Sequence, residues 1–238
     1  MADTTDVSDL LFSYYQVPRD QIHLLIGKAA SRSNIISALD NLSTDPRIQP
    51  GDPILIYFAG YGSQIYPSRG WECGSGPGSK IHVLVPQDYS SKPSLEIPAI
   101  SDRTIGLLID EIAHRKGDNI VRGLFLNSSG PYLTVRVKTL IFDCCHAASG
   151  VRGDPVRSVE LDPSILTNVL DIQSRDNGAP PSGLTSHILF AACRPSEFAR
   201  EINGRGAFTT ELLKVLRAHP PDKLKYRDIL HKINSIDG

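Results

Sequence analysis

The stretch Lys138-Thr-Leu-Ile-Phe-Asp-Cys-Cys-His-Ala-Ala-Ser-Gly150 decides the fold, because in it a short apolar run ends in an acid, two thiols and an imidazole. Leu140, Ile141 and Phe142 have the length and the β preference of a strand that is buried on both faces. Gly150 permits close backbone approach beyond the end of that strand. Since open parallel sheets place their chemistry at the carboxyl ends of strands, we expect a nucleophile there.

The rest of the chain alternates apolar runs with amphipathic segments. We expect further strands at 22–26, 54–59, 81–85 and 186–193, and helices over the first fifteen residues, after Ser31 or Ser33, from Ser101, at 208–218 and at 226–233. A long polar loop with one short helix at 165–170 is expected between 151 and 185. The pattern predicts an α/β fold, with a mostly parallel sheet covered by helices on both faces, in a single domain over 1–238.

Composition excludes several function classes. The chain has 238 residues, of which 40% are hydrophobic, and a formal net charge of -1 with the basic residues spread along it. On electrostatic grounds we therefore expect neither nucleic acid nor an anionic membrane surface as a partner. No run approaches the length of a membrane span, and the first residues lack the features of a signal peptide, so we expect a cytoplasmic protein.

The four cysteines are Cys73, Cys144, Cys145 and Cys193. They have neither the paired spacing of a zinc site nor the density of a disulfide scaffold, so we expect reduced thiols and no metal. Neighbouring residues of an extended strand point to opposite faces, so only one of Cys144 and Cys145 can line a given pocket.

Two motifs carry a family resemblance. The sequence Asp143-Cys-Cys-His-Ala-Ala-Ser-Gly150, preceded by Tyr57-Phe-Ala-Gly-Tyr-Gly-Ser-Gln64, resembles the caspase-like cysteine peptidases, in particular the fungal caspase and metacaspase type. In that family one strand ends in Gly-His-Gly with the catalytic histidine, and a later strand ends in Asp-x-Cys-His-Ser with the nucleophile. The resemblance implies a three-layer α/β/α sandwich, an endopeptidase activity connected with programmed cell death, and a peptide or protein substrate.

The resemblance also implies roles for individual residues. Cys145 takes the position of the nucleophile, and the backbone N–H groups of Gly62 and Cys145 take those of the oxyanion hole. Asp143 and Asp3 correspond to the acids that give metacaspases a preference for Arg or Lys before the cleaved bond. Calcium activation is implied by the resemblance alone, since no run in the sequence has the character of a dedicated oxygen-ligand loop.

The position of the family's catalytic histidine is occupied by Tyr61. A phenol, with a pKa of about 10, cannot act as a general base near neutral pH, and the loss of such a base typically costs about 10²- to 10⁴-fold in rate. His82 and His146 are other imidazoles in the region, and the sequence assigns the role to neither. The sequence therefore predicts an impaired peptidase, or else a pseudopeptidase that binds a peptide or regulates a partner without cutting.

Two further departures concern the chain as a whole. Residues 121–136 have no counterpart in the family and are either a retained intron, which transcript sequencing would reveal, or a surface hairpin. The family's first strand, between those matching 22–26 and 54–59, is not found before the first helix. Its loss would leave backbone groups unpaired at about 1–3 kcal/mol each, unless the gap closes or another chain adds a strand. We therefore expect that the protein can self-associate. A defective gene product is a third interpretation of the chain, beside the impaired peptidase and the pseudopeptidase.

Overall fold

The structure is a computed structural model that describes residues 2–66, 80–92, 94–117, 138–144, 187–193, 199–219, 224 and 226–233. The insertion predicted at 121–136, the loop predicted at 151–185, and the residues Cys73, Cys145 and His146 lie outside the described residues.

The described residues form five α-helices and eight strands. The helices are α1 (Ala2–Ser13), α2 (Arg32–Thr44), α3 (Asp102–Lys116), α4 (Ala207–Ala218) and α5 (Tyr226–Lys232). The strands are β1 (Ile54–Ala59), β2 (Tyr61–Ile65), β3 (Ile81–Val85), β4 (Ile100–Ser101), β5 (Lys138–Asp143), β6 (His187–Ala191), β7 (Glu201–Ile202) and β8 (Arg205–Gly206). Short 3₁₀ turns lie at Arg19–Gln21 and Gly27–Ala29.

A parallel sheet with the strand order β1-β5-β6 forms the middle layer. Its strands are apolar on both faces, as expected for a sheet covered on both sides. On one face Leu140 packs with residues of α2 and α3, and on the other face Ile141 packs with residues of α4 and α5. Helix α1 joins the second face through Val7 and Leu10. The predicted three-layer α/β/α arrangement is confirmed.

Serine side chains cap the N-termini of α2 and α3, the two helices that pack on one face of the sheet. The hydroxyl of Ser31 accepts a hydrogen bond from the N–H of Asn34 at 3.3 Å, and the hydroxyl of Ser101 accepts one from the N–H of Thr104 at 3.1 Å. Each bond satisfies one backbone donor that the first helical turn leaves without a partner. Both helix starts agree with the prediction from sequence, and Ser31 rather than Ser33 is the cap of α2.

Two predicted strands differ from expectation. Strand β3 does not join the parallel sheet but pairs antiparallel with β2, a segment for which no strand was predicted. The strand predicted at 22–26 is wrong, because this segment has no ladder partner among the described residues. Its ends are nevertheless extended, with φ −103° and ψ 104° at Ile22 and φ −125° and ψ 140° at Ile26.

Candidate functional site

The candidate site lies where β1 and β5 end side by side. The register of these parallel strands places Ala59 opposite Asp143, and the N–H of Gly60 donates to the carbonyl of Asp143 at 3.3 Å. Tyr61 and Cys145 are each two residues beyond this last matched pair. The strand that leads to the predicted nucleophile therefore ends next to the strand that leads to Tyr61, although Cys145 itself lies outside the described residues.

Tyr61 is the first residue of β2, and its side chain is 49% exposed. The turn before it needs a small residue, since a Cβ at Gly60 would lie 2.9 Å from Cζ of Phe58. Gly62, the predicted oxyanion donor, follows Tyr61 and is buried. Tyr61, at the position where the resemblance places the general base, thus presents a half-exposed phenol just beyond the end of β1.

His82 does not lie at the position of Tyr61. It is opposite Gln64 in the antiparallel pair of β2 and β3, three ladder positions from Tyr61, which corresponds to about 10 Å along the strand. Its Nδ1 is 3.5 Å from Nε2 of Gln64, and its backbone N–H donates to Oδ2 of Asp102 at 3.3 Å. His82 therefore lies in the antiparallel sheet of β2 and β3, away from the end of β5.

Burial shifts the pKa values of His82 and Asp102 in opposite directions. It lowers the pKa of His82, with the Asp102 carboxylate opposing the shift, and it raises the pKa of Asp102, with the hydrogen bonds from His82 and Arg103 opposing. Both shifts favour the uncharged side chain. The imidazole of His82 is therefore neutral in the folded protein near neutral pH.

We expect the free energy of unfolding to fall as the pH drops below about 6.5, the ordinary pKa of histidine, and through the lowered pKa of folded His82. The sign follows because the unfolded chain binds the proton more readily than the folded one in this range. Urea denaturation between about pH 8 and about pH 5 measures the slope. His82→Gln should flatten it, whereas His114→Gln, on the exposed surface of α3, should not. Equal slopes in the wild type and His82→Gln would contradict the assignment.

Asp143 is fully buried at the end of β5. Its Oδ2 accepts hydrogen bonds from the hydroxyl of Thr209 at 2.6 Å and from the N–H of Thr209 at 3.3 Å. The Thr209 hydroxyl oxygen is also 2.7 Å from the phenol oxygen of Tyr57. This network ties β5 and β1 to the first turn of α4. Sequence reasoning missed Tyr57 and Thr209, since nothing in their local sequence indicates a polar partner.

Asp3 lies at the same end of α4. It is buried in the first turn of α1, and its Oδ2 accepts a hydrogen bond from the N–H of Gly206 at 2.9 Å. Gly206 begins α4 and has no side chain to cap it, so Asp3 and Asp143 both supply acceptors to this helix N-terminus, whose partial positive charge favours carboxylates. The structure brings together the two acids that the resemblance placed in one pocket.

The described thiols are interior groups. Cys144 has no exposed surface and packs in the core between the parallel sheet and helices α2 and α3. Cys193 is also buried, and its thiol lies 3.7 Å from the carbonyl oxygen of Cys144. Neither of these two cysteines forms a disulfide bond. Since buried structural thiols are inert, neither is a candidate for the nucleophile.

Two features are absent from the described residues. No group of three or more His, Cys, Asp or Glu side chains is placed so that it could hold a metal ion. Within the same ranges, no helix has the length and hydropathy required to cross a membrane.

Comparisons with known proteins agree on the fold. A family model described as Caspase domain matches residues 2–236. Among solved structures, the chain is similar to the crystal structure of protein GSU0716 from Geobacter sulfurreducens, with a TM-score of 0.61 and 16% sequence identity over 97% of this chain and 77% of that one. At this identity the likeness concerns the fold alone. No curated protein sequence matches the chain.

Proposed function

Because the chain belongs to the caspase domain family, we propose that it is a thiol-dependent endopeptidase of low turnover, with Cys145 as the nucleophile and Tyr61 in place of the general base. The observation that carries the proposal is the register of β1 and β5, which sets the two positions equally far beyond the matched pair Ala59 and Asp143. Membership of the family supports a cysteine-peptidase type of chemistry, and the register supports the pairing of these two residues.

The chemistry requires a proton acceptor. The thiolate of Cys145 attacks the carbonyl carbon of the peptide bond, and the tetrahedral intermediate then expels the amine, which must gain a proton. An imidazole would take the thiol proton and return it to the amine, whereas a phenol is a poor proton acceptor near neutral pH. Attack then depends on the few per cent of Cys145 that is thiolate without help, so turnover is slow.

The N–H groups of Gly62 and Cys145 are proposed to stabilise the oxyanion of the intermediate. This role is supported for Gly62 by its position directly after Tyr61, in a strand whose pairing with β3 holds the backbone in place. Donors fixed in this way need no reorganisation during the reaction, so they contribute even where the base is lacking.

A preference for Arg or Lys before the cleaved bond follows if Asp3 and Asp143 receive the substrate's cation. Both carboxylates lie at the N-terminus of α4, where Gly206 and Thr209 each engage one oxygen. Guanidinium and ammonium groups form short, charge-assisted hydrogen bonds with carboxylates. The charge of the pair favours a basic side chain over an acidic one.

We expect slow cleavage of a fluorogenic Arg-terminated peptide, no cleavage of the matched Asp-terminated peptide, and loss of cleavage in Cys145→Ala. The assay is run with and without calcium, because the family resemblance alone suggests that ion. Cys193→Ala is the matched control, since it removes a buried thiol that should not react. Cleavage that survives in Cys145→Ala would contradict the proposal.

A peptide-binding module without catalysis is the second candidate, and the half-exposed phenol at the base position favours it. In this case the Arg-terminated peptide binds but is not cut, and Cys145→Ala binds it as well as the wild type. A binding measurement by fluorescence anisotropy, made beside the cleavage assay, separates the two functions.

A further inference from the structure

Tyr57 makes a polar contact inside the fold that the proposed chemistry does not use. Its phenol oxygen lies 2.7 Å from the hydroxyl oxygen of Thr209, which in turn lies 2.6 Å from Oδ2 of Asp143. The three side chains therefore form a chain of hydrogen bonds from β1, through the first turn of α4, to the end of β5. Thr209 and Asp143 have no exposed surface, so bulk water does not compete for the bond between them.

The direction of this chain follows from the donors that are available. An ionised carboxylate only accepts hydrogen bonds, so the single O–H of Thr209 donates to Asp143. The Thr209 oxygen is then left to accept, and the phenol of Tyr57 donates to it. Because linked hydrogen bonds strengthen one another, Tyr57 reinforces the hydroxyl that holds the carboxylate.

The register of the sheet explains why a residue of β1 reaches this carboxylate. Asp143 is matched with Ala59, two residues beyond Tyr57, and alternate residues of a strand share one face. Tyr57 and Asp143 therefore point to the same face of the sheet, the one that α4 covers. The N–H of Thr209 also donates to Oδ2 of Asp143, at 3.3 Å, so two donors hold one carboxylate oxygen.

We propose that Tyr57 is a positioning residue for the recognition of a basic substrate side chain, and that it acts through Thr209 on the carboxylate of Asp143. The inference rests on the proposed function, in which Asp143 attracts the cation before the cleaved bond. Two donors on one oxygen fix the carboxylate before the substrate arrives, so less side-chain entropy is lost on binding. Attraction between charges is stronger away from water, so a turn of this carboxylate changes the affinity for a cation.

The test measures, by fluorescence anisotropy, the binding of two amide-capped peptides that differ only in ending with Arg or with citrulline. Citrulline has nearly the shape of Arg but no charge, so the ratio of the two dissociation constants reports recognition of the cation. The full-length Cys145→Ala variant is the parent protein, so that neither peptide is cut. We expect the parent to bind the Arg peptide about 10- to 100-fold more tightly, the range for a hydrogen bond to a charged group.

Substitutions in this parent test the role of the phenol. Tyr57→Phe keeps the ring in the core and should lower the ratio about three- to tenfold, the effect of one hydrogen bond. Thr209→Val should lower it at least as much, whereas Thr209→Ser keeps the hydroxyl and should stay within about twofold of the parent. Tyr15→Phe is the matched control, because Tyr15 packs against the same apolar cluster as Tyr57, and it should leave the ratio unchanged.

The double variant separates positioning from a general loosening of the fold. Adding Tyr57→Phe to Thr209→Val should lower the ratio no further, because the phenol acts only through the hydroxyl, and circular dichroism checks that each variant is folded. A further loss in the double variant, or an unchanged ratio in Tyr57→Phe, would overturn the positioning role and leave the preference for basic residues in place. A parent that binds the two peptides equally would overturn both.

Discussion

Replacing Tyr61 with histidine should raise kcat/KM for an Arg-terminated peptide by about 10²- to 10⁴-fold, the range that a positioned general base typically contributes. The imidazole takes the thiol proton of Cys145 near neutral pH, which the phenol cannot do. Tyr61 is half-exposed at the beginning of β2, so histidine fits there without repacking the core. The measurement is the initial rate of fluorogenic peptide cleavage over a range of pH.

The control for this gain is Tyr61→Phe, which removes the hydroxyl and supplies no base. Its rate should stay within a few-fold of the wild type. The rate of Tyr61→His should in addition rise with pH through the pKa of an imidazole, ordinarily about 6.5. A rate that does not change in Tyr61→His, with the fold intact, would mean that position 61 does not reach the nucleophile.

Replacing Asp143 with alanine should lower the free energy of unfolding by about 3 kcal/mol, since hydrogen bonds to a charged group contribute about 1.5–3 kcal/mol each and buried donors are costly to leave unsatisfied. The side chain has no exposed surface and accepts two hydrogen bonds from Thr209. Among the described residues, its loss leaves the phenol of Tyr57 as the remaining side-chain contact of that threonine's hydroxyl. Urea denaturation followed by circular dichroism measures the change.

Thr209→Val provides the matched partner, because it removes the hydroxyl with little change of shape. We expect a loss of about 1 kcal/mol for Thr209→Val and, in a double-mutant cycle with Asp143→Ala, a coupling of at least about 0.5 kcal/mol. Asp9→Ala, on the exposed side of α1, should be nearly neutral. Additive effects of the two buried substitutions would show that Asp143 and Thr209 do not stabilise one another.

The layers of the fold could be predicted because they depend on local patterns. Two kinds of local pattern predicted these layers, and each involves only a few residues. One is the apolar runs that form β1, β5 and β6, and the other is the serine caps of α2 and α3. The antiparallel pair of β2 and β3 could not be predicted in the same way. The middle of β2, Gly62-Ser-Gln64, has weak strand preference, and the segment forms its ladder through pairing with β3.

The residues of the candidate site also differ in whether local sequence patterns could predict their positions. The position of Tyr61 beside the end of β5 follows from two strand-end motifs and the parallel sheet they predict. The hydrogen bonds of Asp3 and Asp143 to the start of α4 join residues far apart in the chain, so no spacing rule could reveal them. Segment 22–26 shows the limit most clearly, because its composition specifies an extended backbone whereas strand formation requires a neighbour.

The central claim is that positions 61 and 145 together form one catalytic pair. In this pair the chain keeps the thiol but carries a tyrosine in place of the base. Its most direct test is kcat/KM for an Arg-terminated peptide in Tyr61→His and in the double variant Tyr61→His/Cys145→Ala, both shown to be folded. We predict that the single variant gains about 10²- to 10⁴-fold over the wild type and that the double variant loses all of that gain. A gain that persists without the thiol of Cys145, or no gain in the single variant, would contradict the account.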